Sequence, residues 1–372
     1  MNKKLHIISF DVPYPPNYGG VIDVFHKVQA LAACHVEIYL HMFQYGRQKQ
    51  SKLNSYCKEV HYYNRNTSAL NALGLMPYIV KSRKSSDLNT NLKKIEAPIL
   101  LEGLHTTFIL KAKLFSDRRI LVRAHNIEHL YYQHLANTEG NIFKKLYYWS
   151  GSRKLKRYEK VLKGADKILP LSMKESEYFK KKYSEEKVTF LPAFHASNGF
   201  HELSKKGYFA FFHGNLNVTD NVNTVLLLID IFKPLDYPLV IAGNTSDKKL
   251  LSKIDHYKNI SFIELKDEDQ LFELLHRAHV NILFSKNKAG LKLKLINSVF
   301  QSRYVIANNN VAEGSGLEPL VKIANTKKEI THQLLQLIDK DFSEEEIAKR
   351  YDLLKLYDNQ NNARLLMEEL YS

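Results

Sequence analysis

The chain has 372 residues, of which 44% are hydrophobic and 25% are charged. This composition is typical of a globular protein of about two domains, and it excludes a disordered chain, a collagen-like fibre and a small disulfide scaffold. Lys and Arg outnumber Asp and Glu by 54 to 39, which gives a net charge of +15. The two cysteines, Cys34 and Cys57, form no CxxC pair, so neither a disulfide framework nor a cysteine zinc site is expected.

The N-terminal segment does not read as a targeting signal. The apolar run that follows Lys3 and Lys4 is only six residues long and ends at Asp11, which is too short for a signal peptide. Other apolar runs, such as 225–229, fall far short of the roughly 20 residues that span a bilayer. We therefore expect a buried first strand and a cytoplasmic protein.

Short apolar runs alternate with longer stretches of helical periodicity along the chain. The predicted strands are 4–10, 35–42, 59–63, 98–101, 119–123, 167–171, 187–191, 207–212, 238–242, 260–263, 279–284, 303–307 and 320–323. The predicted helices are 20–33, 127–137, 142–163, 173–183, 218–232, 247–256, 268–278 and 292–301. This alternation predicts an α/β fold with parallel sheets that are covered by helices on both faces.

The alternation weakens once, in the polar segment 192–206, which we interpret as a linker. The sequence thus predicts two Rossmann-like doubly wound domains, 1–191 and 207–340, which face a cleft. A helical tail over 341–372 follows and is expected to pack back toward the first domain. Ligands of open parallel sheets bind at the carboxyl ends of the strands, so both domains should present their binding loops to the cleft.

The first motif is PYPPNYGG, directly after the first predicted strand, and it contains Tyr18, Gly19 and Gly20. Prolines stiffen this loop, and paired glycines let backbone amides approach a ligand where a helix begins. A tight strand-to-helix turn without a ligand is the alternative. The motif is not GxGxxG, so a dinucleotide site is disfavoured.

The second motif is VRAHNIEH, which follows a predicted strand and opens a helix. It places His125 at the carboxyl end of that strand, where a side chain that accepts or donates a proton near pH 7 suits a reacting group. The alternative is a polar helix start with Asn126 as the cap. His125 and His129 have the spacing of a metal pair on a helix, but no third ligand matches, so no metal is expected.

Glycine turns end two strands of the second domain. Gly214 and Asn215 lie in FHGNL and Gly243 lies in AGN, at matching positions where a phosphate or a sugar could approach. A third glycine, Gly290, opens a helix with Lys292 in its first residues.

Two lysines, Lys292 and Lys294, stand near the start of this helix. Lysines are electrostatically unfavourable at the positive end of the helix dipole, unless an anion binds there. A diphosphate is the natural candidate, and two solvated lysines on a surface helix are the alternative.

These segments together resemble the family 4 glycosyltransferases of the GT-B fold over essentially the whole chain. PYPPNYGGVIDVFHKVQAL resembles the acceptor-side loop and helix, and RAHNIEH resembles the start of the middle segment. FHGNLNVTDN and GLKLKLINSVFQSRYVIANN stand where the donor-phosphate turn and the ribose helix belong. The resemblance implies transfer of a sugar from a nucleotide diphosphate sugar with retention, and it implies no metal and no cofactor besides this donor. The acceptor would be a glycan or a lipid-linked glycan, in the synthesis of cell-surface polysaccharide or glycoconjugate.

By this resemblance the first domain is the acceptor side, and the second binds the nucleotide sugar. Gly19 and Gly20 match the glycines of the acceptor-side loop. His125 matches the catalytic histidine near the donor sugar, and Glu318 matches the glutamate after the glycine-rich turn. Tyr18 stands in the same acceptor-side loop.

The departures from the family pattern concern the donor site. Ala289 and Asn297 stand where the family has its Glu-x7-Glu pair, and Asn215 replaces the arginine that faces the donor phosphate. We expect Lys292 and Lys294 to supply the missing positive charge. Asn297 could still bond a ribose hydroxyl through its amide.

Two alternative functions remain open at this stage. A non-catalytic homologue that binds a nucleotide sugar or glycan would account for the missing Glu-x7-Glu pair. A nucleic-acid binder would account for the positive charge, but none of the known nucleic-acid motifs is present, so no nucleic acid is expected. The basic and aromatic stretch 144–158 fits either an ordinary domain helix or peripheral contact with an anionic membrane, at the inner membrane face.

Overall fold

The computed structural model describes residues 3–197, 199, 203, 205–288 and 290–372. The chain divides into two compact units. The first unit contains the residues up to Ala196 together with Tyr357–Ser372, and the second unit is Ser197–Leu356.

The first unit contains a parallel sheet with strand order β3-β2-β1-β4-β5-β6. Its strands are β1 (Lys4–Ser9), β2 (Glu37–Gln44), β3 (Glu59–Asn64), β4 (Ile99–Glu102), β5 (Ile120–Ala124) and β6 (Lys167–Pro170). Its helices are α1 (Gly19–Ala33), α2 (Tyr78–Lys81), α3 (Ser86–Lys94), α4 (Phe108–Lys111), α5 (Glu128–Thr138), α6 (Ile142–Tyr158), α7 (Met173–Lys182) and α15 (Asn359–Tyr371).

The second unit repeats this topology with strand order β12-β11-β10-β7-β8-β9. Its strands are β7 (Phe209–His213), β8 (Leu239–Gly243), β9 (Ile260–Glu264), β10 (Ala278–Leu283), β11 (Tyr304–Ala307) and β12 (Lys322–Ile323). Its helices are α8 (Thr219–Phe232), α9 (Lys248–Asp255), α10 (Glu268–Arg277), α11 (Leu293–Gln301), α12 (Asn309–Ala312), α13 (Lys327–Leu337) and α14 (Glu344–Leu354).

Apolar runs become central strands because helices cover both faces of each sheet. Ile7 and Ile8 point to opposite faces of β1, and both are fully buried in separate apolar clusters. The same holds for Phe211 and Phe212 in β7. A parallel sheet buried on both sides requires such continuous apolar strands. The predicted α/β, doubly wound fold class is confirmed.

The C-terminal segment is shared between the two units. Helix α15 packs on the first unit through Ala363, Leu366 and Leu370, which join the apolar cluster beneath α1. Helix α14 belongs instead to the second unit, where buried Arg350 donates to the carbonyl of Val299 at 2.9 Å. The predicted tail 341–372 therefore does not behave as one piece.

Some predicted elements differ from the structure. Residues 187–191 do not form the predicted strand, because only an isolated bridge joins Val188 to Ile168 of β6. Helices α3 and α13 were not predicted, since each buries only two or three apolar side chains in a polar sequence. Among the described residues, no helix is both long enough and apolar enough to cross a membrane.

Candidate functional site

In both sheets the strand order reverses next to the first strand, between β1 and β4 and between β7 and β10. Loops that leave the two neighbouring strands part at such a point and open a crevice at the carboxyl ends of the strands. Each unit has a cluster of polar side chains at this place.

In the first unit, four buried charged side chains form a network at this position. Lys27 Nζ, on α1, donates to Asp23 Oδ2 at 2.9 Å and to Glu102 Oε1, at the end of β4, at 2.6 Å. Arg123, on β5, donates from Nη2 to Asp23 Oδ1 at 2.8 Å. The two cations balance the two carboxylates, which is what burial of charge requires.

The network fixes the ionisation of its acids. Burial alone would raise the pKa of Asp23, but the charges of Arg123 and Lys27 hold that pKa well below its usual range. For Glu102 burial again acts upward, and Lys27 and His125 prevail, so its pKa is also lowered. Both acids are therefore carboxylates at neutral pH.

His125 is oriented by this network. Its Nε2 lies 2.8 Å from Glu102 Oε2, and because a carboxylate only accepts, Nε2 carries the proton. Its Nδ1 is buried and has no hydrogen-bond partner among the described residues. The predicted position at the carboxyl end of a strand is observed, since β5 ends at Ala124. A neutral His125 would present Nδ1 as an acceptor, and a protonated one would present it as a donor.

The glycine loop lies against the same histidine through Phe10. The Phe10 ring meets His125 edge-on at 5.3 Å between centroids. A Cβ on Gly20 would lie 2.6 Å from the end of the Phe10 ring, whereas a Cβ on Gly19 would meet nothing within 4 Å. Tyr18 donates its hydroxyl to Asp11 Oδ2 at 2.8 Å. Gly20 is thus needed for close packing, and Gly19 is free of any such constraint.

Asp23, Glu102 and His125 have ligand atoms within 4.8 Å of one another, which is the geometry of a potential metal site. Lys27 Nζ already lies within hydrogen-bond distance of both carboxylates. A cation added there would displace or repel that ammonium, so the residues do not suit a metal ion. His129 bonds a different carboxylate, that of Glu159, at 3.1 Å.

Two further acids of the first unit are buried, Glu128 on α5 and Glu175 on α7. Burial raises the pKa of Glu128 to about 7 and that of Glu175 to about 8. Glu128 Oε1 and Glu175 Oε2 have no hydrogen-bond partner among the described residues. At pH 7 Glu175 is therefore mostly protonated and Glu128 about half protonated, and ionisation of either buried acid costs stability.

In the second unit, the predicted turns after β7 and β8 lie side by side. A Cβ on Gly243 would lie 2.0 Å from the carbonyl oxygen of Gly214, and Gly214 N donates to Ala242 O at 3.0 Å. Gly243 therefore serves the packing of backbone on backbone, whereas a Cβ on Gly214 would lie 3.0 Å from the side chain of Asn221. Asn215 Oδ1 accepts from Asn217 N at 2.9 Å, so its amide shapes its own turn.

Lys294 reaches this turn from α11. Its Nζ lies 3.4 Å from Asn221 Oδ1, in the first turn of α8, and Asn221 Nδ2 donates to Asn215 O at 2.8 Å. The ammonium also lies 5.2 Å from the Phe212 ring centroid. Burial lowers the pKa of Lys294 to about 8, with Asp220 opposing and Lys292 adding to the effect. The structure thus brings together Lys294 and the turn in which the sequence lacked a cation.

The remaining predicted donor residues are more dispersed. Gly290 has a φ of +70°, and α11 begins at Leu293 with Lys292 as its N-cap residue, so the helix starts one residue later than the predicted 292–301. Asn297 is buried and accepts from Ser197 Oγ at 3.4 Å. Glu318 Oε1 accepts from Gly314 N at 2.6 Å, which braces its own loop. Ala289 lies outside the described residues.

Sequence reasoning missed the residues that surround these groups. Asp23 and Lys27 are charged residues in an otherwise apolar helix, and Glu102 and Arg123 end apolar strands, which were available signals of buried ion pairs. In the second unit, the missed residue is Asn221, which joins Lys294 to the Asn215 turn. Nothing in its sequence context distinguishes it from a helix-start asparagine.

No protein-family model matches the chain. A Klebsiella pneumoniae protein, described as an uncharacterized 44.6 kDa protein in the cps region, is 28% identical over 337 residues, covering 84% of each chain. A Rickettsia africae glycosyltransferase matches with a TM-score of 0.65 and 12% identity, over 99% of this chain and 98% of that chain. An S. aureus TarM variant, in complex with fondaparinux, α-GlcNAc-glycerol and UDP, matches with a TM-score of 0.64 and 10% identity over both whole chains.

The same fold also occurs with another chemistry. A Neisseria meningitidis UDP-GlcNAc 2-epimerase, bound to UDP-GlcNAc, matches with a TM-score of 0.58 and 13% identity over 99% of each chain. Identities this low establish the fold and leave the reaction to the site residues. The chain has the GT-B-like fold of glycosyltransferases, with one Rossmann-like sheet in each of its two units.

Proposed function

We propose that the protein is a glycosyltransferase that moves a sugar from a nucleotide diphosphate sugar to a glycan or lipid-linked glycan. The fold and the solved glycosyltransferases that share it support this reaction class. The relative in a cps region supports a role in polysaccharide synthesis. Membership of family 4, retention at the anomeric carbon and a hexose as the sugar are parts of the same proposal, and they rest on the motifs of the sequence.

The position of Lys294 beside the Asn215 turn is the observation that carries the proposal. Helix α8 begins in this turn, its N-cap residue Val218 provides no side-chain cap, and the helix start is the positive end of the dipole. Lys294 brings a partly desolvated ammonium to the same place. An amide-rich helix start with a cation beside it is suited to a diphosphate. We assign the donor diphosphate to this corner of the second unit.

His125 is proposed to act on the sugar. Glu102 holds its Nε2, which leaves Nδ1 as the group that can bond a sugar hydroxyl or meet charge that develops during transfer. Asn297 and Glu318 are proposed to contact the ribose, and Gly290 with Lys292 to flank the phosphates. Tyr18, Gly19 and Gly20 remain the proposed acceptor-side loop. In this scheme the lysines provide the positive charge, with no metal or cofactor besides the donor.

A second candidate is a non-catalytic protein that binds a nucleotide sugar or a glycan. Asn297 favours it, because an amide stands where the family has a carboxylate, and a carboxylate, unlike an amide, could act as a general base or nucleophile. The epimerase that shares the fold illustrates that such a site can serve other reactions.

A two-stage experiment separates these functions. Thermal-shift measurements with a panel of nucleotide sugars should show a rise in Tm for the cognate donor, because a ligand that binds only the folded state stabilises it. Free nucleotide released on addition of a glycan acceptor then indicates transfer. Donor binding without nucleotide release would favour the binding protein. No Tm shift with any nucleotide sugar would refute the transferase and leave only a protein that binds a glycan. Fractionation of cells should place the protein in the cytoplasm, partly at the inner membrane face.

A further inference from the structure

The first unit carries a concentrated patch of exposed apolar side chains. Among the described residues, the large aliphatic and phenylalanine side chains that are more than half exposed are all on this patch. They are Leu70, Leu73, Leu75, Ile142, Phe143 and Leu146, with exposures from 55% to 80%. Trp149, the single tryptophan of the chain, is half exposed beside them. A patch of this kind on a folded unit marks an interaction site.

The patch joins two segments that are far apart in sequence, 68–77 and 142–157. Lys154 Nζ donates to the carbonyl of Ala72 at 2.6 Å, and the rings of Tyr78 and Tyr147 meet at 6.4 Å. A cavity of about 190 Å³ lies between the segments and is lined in part by Tyr132 and Pro77. We call this combined surface the basic aromatic face.

Helix α6 is exposed on all sides over residues 142–147, and one side of it stays exposed toward its end. Ile142, Leu146, Trp149 and Arg153 follow one another at intervals of four, three and four, so they share a face. Leu155, on the opposite side, is buried in the core of the unit. The outward side is apolar over the first turns and basic over the last turns, and the Arg153 guanidinium stacks on Trp149 at 3.6 Å.

The charge of this face has one sign. Residues 141–158 contain six Lys and Arg and no Asp or Glu, and residues 65–84 contain four Lys and Arg and no Asp or Glu. Lys144, Lys145 and Arg157 are exposed, and Glu139 is an acid at the edge, where it bonds the backbone of Asn141. Two copies of the chain joined through this face would bring like charges together, which argues against a homodimer here.

We propose that the basic aromatic face docks the protein on a bilayer that contains anionic lipid. The apolar side chains enter the interface, Trp149 and the tyrosines lie at the headgroup level, and Lys144 and Lys145 pair with lipid phosphates. This deepens the proposed function by naming the surface that meets a lipid-borne acceptor. It is tested without any glycosyl transfer, so a failure of one proposal leaves the other standing.

Trp149 provides a probe at the proposed contact itself. The full-length protein is titrated with vesicles of phosphatidylcholine and phosphatidylglycerol, and tryptophan emission and co-sedimentation are recorded together. Since the chain has one tryptophan, a shift of its emission to shorter wavelength reports burial of this face and of nothing else. We expect co-sedimentation and the shift together with mixed vesicles, and neither with pure phosphatidylcholine.

Paired variants separate the apolar and the electrostatic contributions. Phe143→Ser with Leu146→Ser should weaken partitioning on the order of 100-fold, because two large apolar groups leave the interface. The control for exposure is Leu335→Ser on α13, a leucine that is half exposed in the second unit. Phe143, Leu146 and Leu335 are all at the surface, so neither the double variant nor the control should disturb folding.

Lys144→Gln with Lys145→Gln should weaken partitioning roughly 25-fold, since each lysine near an anionic surface contributes about 5-fold. Lys327→Gln with Lys328→Gln is the matched control, because these exposed lysines also lie in the first turn of a helix. Equal losses in the two double variants would mean that the overall charge of the protein, and not this face, attracts the vesicles.

Three results would overturn the proposal. They are the absence of vesicle binding, binding that leaves the Trp149 emission unchanged, and binding that is insensitive to the change at Phe143 and Leu146. Binding of an acidic protein in place of vesicles, with the same emission shift, would identify the face as a protein interface instead.

Discussion

Replacing Lys294 by alanine tests the proposed donor site most directly. In the structure its ammonium lies beside Asn221 and the Asn215 turn, with a contact of 3.4 Å that is too long for a strong hydrogen bond. The cation is therefore available to an added anion. A charge-assisted hydrogen bond contributes about 1.5–3 kcal/mol. Lys294→Ala should weaken the binding of the cognate nucleoside diphosphate by roughly 10- to 150-fold.

The lowered pKa of Lys294 adds a second, independent signature. With a pKa of about 8 in the free protein, the side chain is charged at pH 7 and largely neutral at pH 9. A bound diphosphate favours the charged form, so affinity should fall by about 10-fold from pH 7 to pH 9. The Lys294→Ala variant should lose this part of the dependence. The nucleotide's own titration affects the wild type and the variant equally, so comparing their pH dependences isolates the contribution of Lys294.

Isothermal titration with nucleoside diphosphates at both pH values measures these effects. Lys292→Ala, in the N-cap residue of α11, should weaken binding less, and Lys328→Ala on an exposed helix start serves as the control. Unchanged affinity in Lys294→Ala, Lys292→Ala and the double variant would show that the phosphates bind elsewhere. An unchanged pH dependence in Lys294→Ala would refute the role of its ionisation.

Three further predictions follow from the first unit. His125→Ala should lower turnover on the order of 100-fold, as loss of a group that stabilises developing charge does, while the circular dichroism spectrum stays that of the folded protein; an unchanged rate would exclude this role. Gly20→Ala should lower turnover, because the added methyl group displaces the Phe10 ring from His125 at a packing cost of about 1–3 kcal/mol. Gly19→Ala should be neutral, and equal effects of the two variants in steady-state assays would contradict the packing argument. The raised pKa of Glu175 means that the folded state binds more protons than the unfolded state between about pH 4.5 and 8, so the free energy of unfolding falls as pH rises through this window. Glu175→Gln should stabilise the protein by about 2–3 kcal/mol at pH 8 and flatten this pH dependence in chemical denaturation. Parallel curves of stability against pH for the two proteins would rule this out.

The positions of the strands were predictable because a strand buried on both faces leaves a signature in the sequence. Runs such as Phe209–His213 and Leu239–Gly243 are continuous, apolar and short, and helices with a polar face separate them. The doubly wound fold class follows from that alternation. The segment 187–191 has the same apolar look, but it lies beside one neighbour only and forms a single bridge.

The sequence located the glycine turns of the second unit but did not indicate why glycine is needed there. The turns at Gly214 and Gly243 were predicted as places where a ligand could approach. In the structure a side chain on Gly243 would collide with the backbone of Gly214, so packing alone already requires this glycine. A local sequence pattern does not distinguish close approach by a ligand from close approach by the chain itself.

The charged site of the first unit was decided by tertiary structure. Asp23, Lys27, Glu102 and Arg123 come from one helix and two strands that are separated by up to a hundred residues along the chain. Each is a charge in a mostly apolar element, which signals burial, but only the order of the parallel strands decides that the four are buried together. His125 was predicted from its motif, whereas its proton position depends on Glu102, which the sequence did not indicate.

The sequence by itself determined the two doubly wound units, because apolar periodicity is a local property. The expectation of a cation near the Asn215 turn came from the resemblance to a family that has an arginine there. The sequence already proposed Lys294 for this charge, and only the tertiary structure decided that its ammonium, 79 positions further along, lies beside that turn, since Asn221 and the first turn of α8 lie beside α11 in space and not in sequence. It also decided that Phe143, Tyr147 and Trp149 of α6 are exposed whereas Tyr158, at the end of the helix, is buried. That division depends on which neighbours cover a helix, and the helical period alone does not specify them.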